Sequence, residues 1–600
     1  MRSIIRRVLL LGAALTLLSG ALPAAADHAT RPHTPNMVAF GHSPHPATFT
    51  DPADVRHINS DLAFWGDLAF NGNYDGFRII DLSDPRNPVE ISHPRCNGDQ
   101  GDVVVWEDIL IRTWNSPAPA GRFCDGEPVP EGFEGMHIWD ISDLEDPALI
   151  GEVELSQRPL ADREHQNGGI GCGSHTATAV PDQENNRLIV YNQTSIGSGA
   201  CEMWPFLGIV EVPLDDPAGA HWLRDEPLAD AHHSHDSGVI LGDVNLLAVA
   251  GHEHSNVYSI GGPRGGSFED PEFLYTIEEE GVCNVPGDPE CNGSWHSAAF
   301  TWDGEVIILG WEPGGGAQAE CEAGDPDVKK SAFFYDSETG EKLGQWTLPR
   351  PQGPDENCTI HNYNVVPKLG RYVLVSGNYQ AGTWVTDFTD PANPETVAWS
   401  DPESLGPGPF CSNTSPPGCQ LGGAWSTYWY NNYLYESSIT EGLNVFGVRG
   451  GGVMRGAVQL DHLNPQTQEF SLMRQGRRER IRLGTSLSGD EEVPGPGDPD
   501  GSGNAQLGLF PNQEKVCWQI QWENIATPTA AHIHEGPAGV AGPIVVPLFL
   551  TAQPGNSARG CEEDVDEALI RDIAENPEEY YVNVHNSDFP GGAIRGQLGD

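Results

Sequence analysis

One phrase recurs along the chain and narrows the architectures open to it. It reads GFRIIDLSDPRNPVEI at residues 76–91, GMHIWDISDLEDPALI at 135–150 and GTWVTDFTDPANPETV at 382–397. Looser copies are GIVEVPLDDPAGAHWL at 208–223 and SAFFYDSETGEKLGQW at 331–346. In each copy apolar residues alternate with small or polar ones, as in a half-buried strand. An Asp-Pro or Thr-Gly turn follows, and a second short alternating run completes a β-hairpin. A single hairpin cannot bury its apolar face, so repetition implies stacked blades or coils.

A second element recurs between the copies. HTATAV begins at His175, HDSGVI at His235, HSAAFT at His296 and HNYNVV at His361, and WSTYWY at Trp425 occupies the next slot. A turn and an apolar strand follow each one. The abundance of turn formers, 71 Gly and 49 Pro, suits many short strands. No stretch between residues 50 and 449 keeps a helical period. The expected fold class is all-β, a β-propeller of roughly seven blades over residues 50–449. The strand-turn units around Ile79, Ile80 and Asp81, around Ile138, Trp139 and Asp140, and around Val385, Thr386 and Asp387 resemble the LVIVD-repeat family of bacterial and archaeal cell-surface propellers. That resemblance implies a fold and says little about activity.

With 600 residues, more than one core is expected. Arg2, Arg6 and Arg7 precede an apolar run at residues 8–18, and Ala24, Ala25 and Ala26 offer a cleavage site, so residues 1–26 read as a secretory signal peptide. Residues 27–49 form an N-terminal segment, and 450–481 read as a linker carrying the basic cluster MRQGRRERIR. No later apolar run is long enough to span a membrane. A net charge of −54 argues against nucleic acid and anionic membranes as partners. Twelve cysteines fall as near neighbours and are expected to pair sequentially: 96 with 124, 172 with 201, 283 with 291, 321 with 358, 411 with 419 and 517 with 561.

From residue 482 the character changes. SGDEEVP, AHIHEGPAGVAGPIVVPL and YYVNVHNSDFPGGAIRGQL make residues 482–600 resemble a CHRD domain, which implies an all-β sandwich or barrel. One short helix is expected at 565–576, where Leu569, Ile570 and Ile573 share a face.

Two sets of histidines are candidate metal ligands. First strands line a propeller's channel, so His175, His235, His296 and His361 should converge there, with His57 and His233 as further members. Converging neutral imidazoles bind copper or zinc. Such a ring is similar to that of copper-bearing propellers of the selenium-binding-protein type. The alternative is that each histidine pegs a neighbouring blade by a backbone hydrogen bond. In the CHRD-like region His532 and His534 sit two apart on a strand and so share a face, with His585 on another strand. No nucleophile motif is present. The expected role is an exported binding or scaffold protein of the cell surface or extracellular space, its partner a protein or glycan. The alternative is a copper-type oxidoreductase using the histidine ring.

Overall fold

The computed structural model describes residues 31–599 apart from 46–57, 99, 156–172, 194–205, 230–233, 243, 252–253, 283–292, 317, 403–421, 451, 470–480, 512–514 and 563–564. The chain divides into two compact units, residues 1–471 and 472–600. The proposed signal peptide, His57 and His233, residues 473–480 of the basic cluster at 473–482 and six of the cysteines lie outside the described residues.

The first unit is all-β and propeller-like. Five separate sheets are blades, each made of four strands consecutive within the sheet. The first blade runs Asn59–Trp65, Leu68–Asn73, Gly76–Asp81 and Val89–Ser92. The next four open with Val103–Trp106, Thr176–Asp182, Ser234–Ile240 and Gly293–Phe300. Eight further strands form one sheet. Its two runs of four meet through a parallel bridge between Asn362 and Ser426. One run includes the N-terminal strand Met37–Pro44 beside Gly442–Val448, so the start of the propeller is tied to its end.

The repeated phrase supplies the third and fourth strands of its blade, and its aspartates explain the recurrence. Asp81, Asp140 and Asp387 end the third strand, and each Oδ1 accepts the backbone N–H two residues on, from Ser83, Ser142 and Thr389. Asp84, Asp143 and Asp390 repeat the device with Arg86, Glu145 and Ala392. Two successive Asx turns thus reverse the chain. Apolar faces then pack blade against blade: Val104, Ile111 and Ile138 of one meet Ala177, Leu188, Val190 and Val210 of the next.

Part of the expected linker belongs to the propeller. Residues 458–468 run across the C-terminal ends of the first strands. His462–Leu463 pairs with Phe64 and Trp65, and Thr467–Gln468 pairs in parallel with Val239 and Ile240. Asn464 exchanges two hydrogen bonds with the backbone of Val105, and Gln468 does the same with Phe300. The segment reads as linker because it is polar, yet its amides supply the donor and acceptor that a neighbouring strand would.

The second unit is a nearly closed β-barrel. Its eight strands run in the order Ile544–Phe549, Pro528–Glu535, Tyr580–Asn586, Ile594–Gln597, Ile481–Ser488, Ser502–Phe510, Lys515–Glu523 and Ser557–Glu562. The expected helix forms at Glu567–Glu575, capped by Asp566, whose side chain accepts the Leu569 N–H. Ile570 and Ile573 are buried in the barrel's core. Among the described residues three disulfides form, Cys96–Cys124, Cys321–Cys358 and Cys517–Cys561, all as the spacing predicts. Also among the described residues, no helix is long and apolar enough to cross a membrane.

Candidate metal centre

The four propeller histidines converge. Ring centroids are 4.4 Å apart for His175 and His235, 4.2 Å for His235 and His296, and 4.0 Å for His296 and His361. Trp425 follows edge-on at 5.0 Å from His361, so the imidazoles form an arc that an indole ends. Local backbone geometry aims them. The pairing of Ser234–Ile240 with its neighbour skips His235, that of Gly293–Phe300 skips His296, and that of Ala424–Tyr430 skips Trp425. Each is thus the extra residue of a β-bulge, a device that turns a side chain out of the pleat.

Two residues complete the site that the histidine pattern does not mark. Glu312, on the second strand Val306–Pro313 of the His296 blade, places its carboxylate among the imidazoles. Its Oε2 lies 4.0 Å from His235 Nε2 and 3.9 Å from His296 Nε2, and its Oε1 lies 3.6 Å from His361 Nε2. Tyr379 donates its hydroxyl to Glu312 Oε1 at 2.7 Å, and its ring lies 4.1 Å from that of His361. The sequence signal for Glu312 is a lone carboxylate in VIILGWEP, a strand buried along its whole length. Ligand atoms of His235, His296 and Glu312 all fall within 4.8 Å of one another. His361 and His175 extend the arc on either side of that group.

Peg and ligand are compatible roles for these rings. His361 Nδ1 hydrogen-bonds the Trp425 carbonyl. A carbonyl only accepts, so Nδ1 carries the proton and Nε2 turns its lone pair toward Glu312. The rings of His235 and His296 face the backbones of His296 and His361 in the same sense, with Nδ1 outside good hydrogen-bond geometry. Hydroxyls one blade back clamp the main chain: Thr176 donates to the His235 carbonyl at 2.8 Å and Ser297 to the His361 carbonyl at 2.6 Å. Burial holds the imidazoles neutral, pulling His235 down to about 4, His361 to about 3, and His296 well below its ordinary value. Burial also pushes Glu312 up to about 7, against the opposing hydrogen bond from Tyr379.

The barrel brings its three histidines together as well. His532 Nδ1 is 3.2 Å from His585 Nε2, and His534 completes a group whose ligand atoms lie within 4.8 Å of one another. A further trio, Cys96, Cys124 and His137, is occupied by the disulfide.

Residues 483–598 match the CHRD domain model. No curated protein matches the chain. Among solved structures, the chain is similar to the N-terminal domain of Nup159, with a TM-score of 0.38 and 10% identity over 69% of this chain and 96% of that one. It is also similar to the Myceliophteria thermophila Cps50 (Swd1) beta-propeller domain, with a TM-score of 0.31 and 11% identity over 59% of this chain and 99% of that one. Likeness at these scores carries no argument, and the propeller-like arrangement rests on the sheet topology described above.

Proposed function

We propose that this chain is an exported metal-binding protein whose propeller channel holds one zinc or copper ion between His235, His296, His361 and Glu312. The observation that carries the reading is the set of three Nε2 atoms 3.6–4.0 Å from one buried carboxylate. Ligand atoms around a tetrahedral ion stand about 3.3–3.5 Å apart. His235, His296 and Glu312, already within 4.8 Å of one another, would draw in around the ion, and His361 would move in from the next blade to join them. Three neutral imidazoles and one carboxylate suit zinc and copper. Four protein ligands fill a tetrahedral sphere, which favours binding over the oxidoreductase alternative, because catalysis needs an open position. An extracellular setting is supported by the CHRD domain and the disulfides.

The same reading divides the eight-stranded sheet at its parallel bridge and makes the propeller seven-bladed. Neighbour contacts between first strands support it: they run from Asn59–Trp65 through each blade in turn to Ala424–Tyr430 and back. Metal content decides between this function and a metal-free scaffold. Purified full-length protein grown with copper and zinc available should carry one more ion per chain than the His235→Ala/His296→Ala variant. Equal content in the two proteins would overturn the channel site and return the scaffold reading.

A further inference from the structure

The barrel's sheet has two buried faces of opposite character. Ala531, Ile533, Val582, Val584 and Ile594 point into the apolar core. Their neighbours His532, His534, Tyr581, Asn583, His585 and Arg595 alternate onto the other face. That face is covered, since His532 and His534 are buried and Arg595 is 2% exposed. The segment 536–542 lies over it, with Arg595 Nη2 bonded to the Pro537 carbonyl and Gly542 N–H to the Tyr581 hydroxyl. Glu492 covers another part, both carboxylate oxygens accepting from Asn583 Nδ2 at 2.8 and 3.0 Å. A polar layer enclosed in this way needs every group satisfied.

We infer that this layer is a second metal site, independent of the channel, in which His532, His534 and His585 hold a copper ion in its monovalent state. Main-chain carbonyls orient two of the rings. His534 Nδ1 bonds the Gly542 carbonyl at 3.0 Å and His585 Nδ1 bonds the Pro590 carbonyl at 3.2 Å. Both Nδ1 atoms therefore carry the proton, and both Nε2 atoms offer lone pairs. His585 Nε2 faces His532 Nδ1 at 3.2 Å, close to the ~3.3 Å that separates nitrogens sharing one ion. A hydrogen bond between these two histidines would account for that pair alone. It leaves His534 Nε2 buried with no partner, which a metal supplies. The charge around the trio selects the ion. The group contains no carboxylate. Arg595 stands 3.4 Å over the Tyr581 ring, which in turn stacks on His534 at 4.8 Å. The layer's carboxylate, Glu492, is held by Asn583 and faces Arg595. Three neutral imidazoles alone would therefore meet the ion, a set that disfavours a second positive charge on it and binds copper strongly.

The test uses full-length protein carrying His235→Ala/His296→Ala, so that no channel ion contributes and the outcome is independent of the channel proposal. Cu(I) and Zn(II) are each titrated against a chromogenic chelator. One Cu(I) per chain is expected, bound more tightly than Zn(II), and weakened at least ~100-fold by His534→Ala. Thermal unfolding checks that each variant is folded. Should His534→Ala fail to fold, the half-buried His585→Ala serves in its place. Absence of stoichiometric metal, or Cu(I) affinity unchanged in a folded variant, would overturn the site. Preference for Zn(II) would overturn the choice of ion.

Discussion

Tyr379 is the residue in which backbone strain and site chemistry meet. Its φ of +47° lies in the left-handed region that bulky side chains avoid, and such strain persists only where the surroundings enforce it. Here it sets the ring against His361 and the hydroxyl on Glu312. Burial raises the phenol well above its ordinary value, so it remains a donor at any physiological pH. Gly316, at φ +69°, makes room: a Cβ there would stand 2.4 Å from the Glu312 carboxylate and 2.5 Å from the Tyr379 hydroxyl. Tyr379→Phe keeps ring and backbone and removes only the bond that orients Glu312. The expected result is channel-metal affinity lower by roughly 10–100-fold with little change in unfolding temperature, measured by chelator competition. Gly316→Ala should weaken both metal binding and stability, because it displaces the carboxylate and forces an L side chain into a positive φ. The histidines were legible because each recurs in the same slot of successive blades. Glu312 and Tyr379 occur once each, and a single residue in one blade leaves no period to read.

Elements differ in how far sequence reveals them. The hairpin phrase was readable because alternation and the Asp-Pro turn state its geometry directly. The bulges at His235, His296 and Trp425 were not, since a bulge is a mismatch between two strands and appears in neither one alone. The polar run at 458–468 was hidden for a related reason, its function being defined by the strand ends it meets. Among these contacts Asn464 is the most informative. Its amide donates to the Val105 carbonyl at 2.8 Å and accepts from the Val105 N–H at 2.9 Å, both groups being buried. Asn464→Ala leaves both backbone groups unpaired, at about 1–3 kcal/mol each. The propeller's transition should fall by roughly 2–4 kcal/mol in denaturant unfolding, with no change in the barrel's transition. A loss below about 0.5 kcal/mol would mean that water replaces the amide and that the segment only rests on the strand ends.

Taken as one molecule, the propeller gathers carboxyl groups where solvent is scarcest. Asp61, Asp102 and Asp236 sit at the start of three first strands and are all buried. Asp61 is the best provided with donors, accepting from Tyr428, Asn362 and Gln466 side chains and from the Leu62 N–H. It is therefore the member best able to carry a charge. Asp102 accepts the Ala177 N–H at 2.9 Å through Oδ2, while its Oδ1 has no partner. Burial first, and the charge of Asp61 second, push Asp102 well above the ordinary carboxylate value. Burial likewise raises Asp236, with Asp102 adding to it. Between the ordinary carboxylate value and the raised one, the folded protein holds protons that the unfolded chain has released, so stability falls as pH rises through that window. Self-repulsion from a net charge of −54 acts in the same direction and is nearly the same in a single-site variant. Asp102→Asn keeps a carbonyl to accept the Ala177 N–H and removes the proton-linked group. Buried neutral histidines work the other way, adding stability as pH rises through the ordinary imidazole value, but they are the same in both proteins. In metal-free buffer the difference in unfolding temperature between the two proteins should therefore open in the variant's favour from pH 5 to pH 8. A gap that stays constant across this range would mean that Asp102 keeps one protonation state throughout, and that the buried carboxylates do not set the pH dependence of the fold.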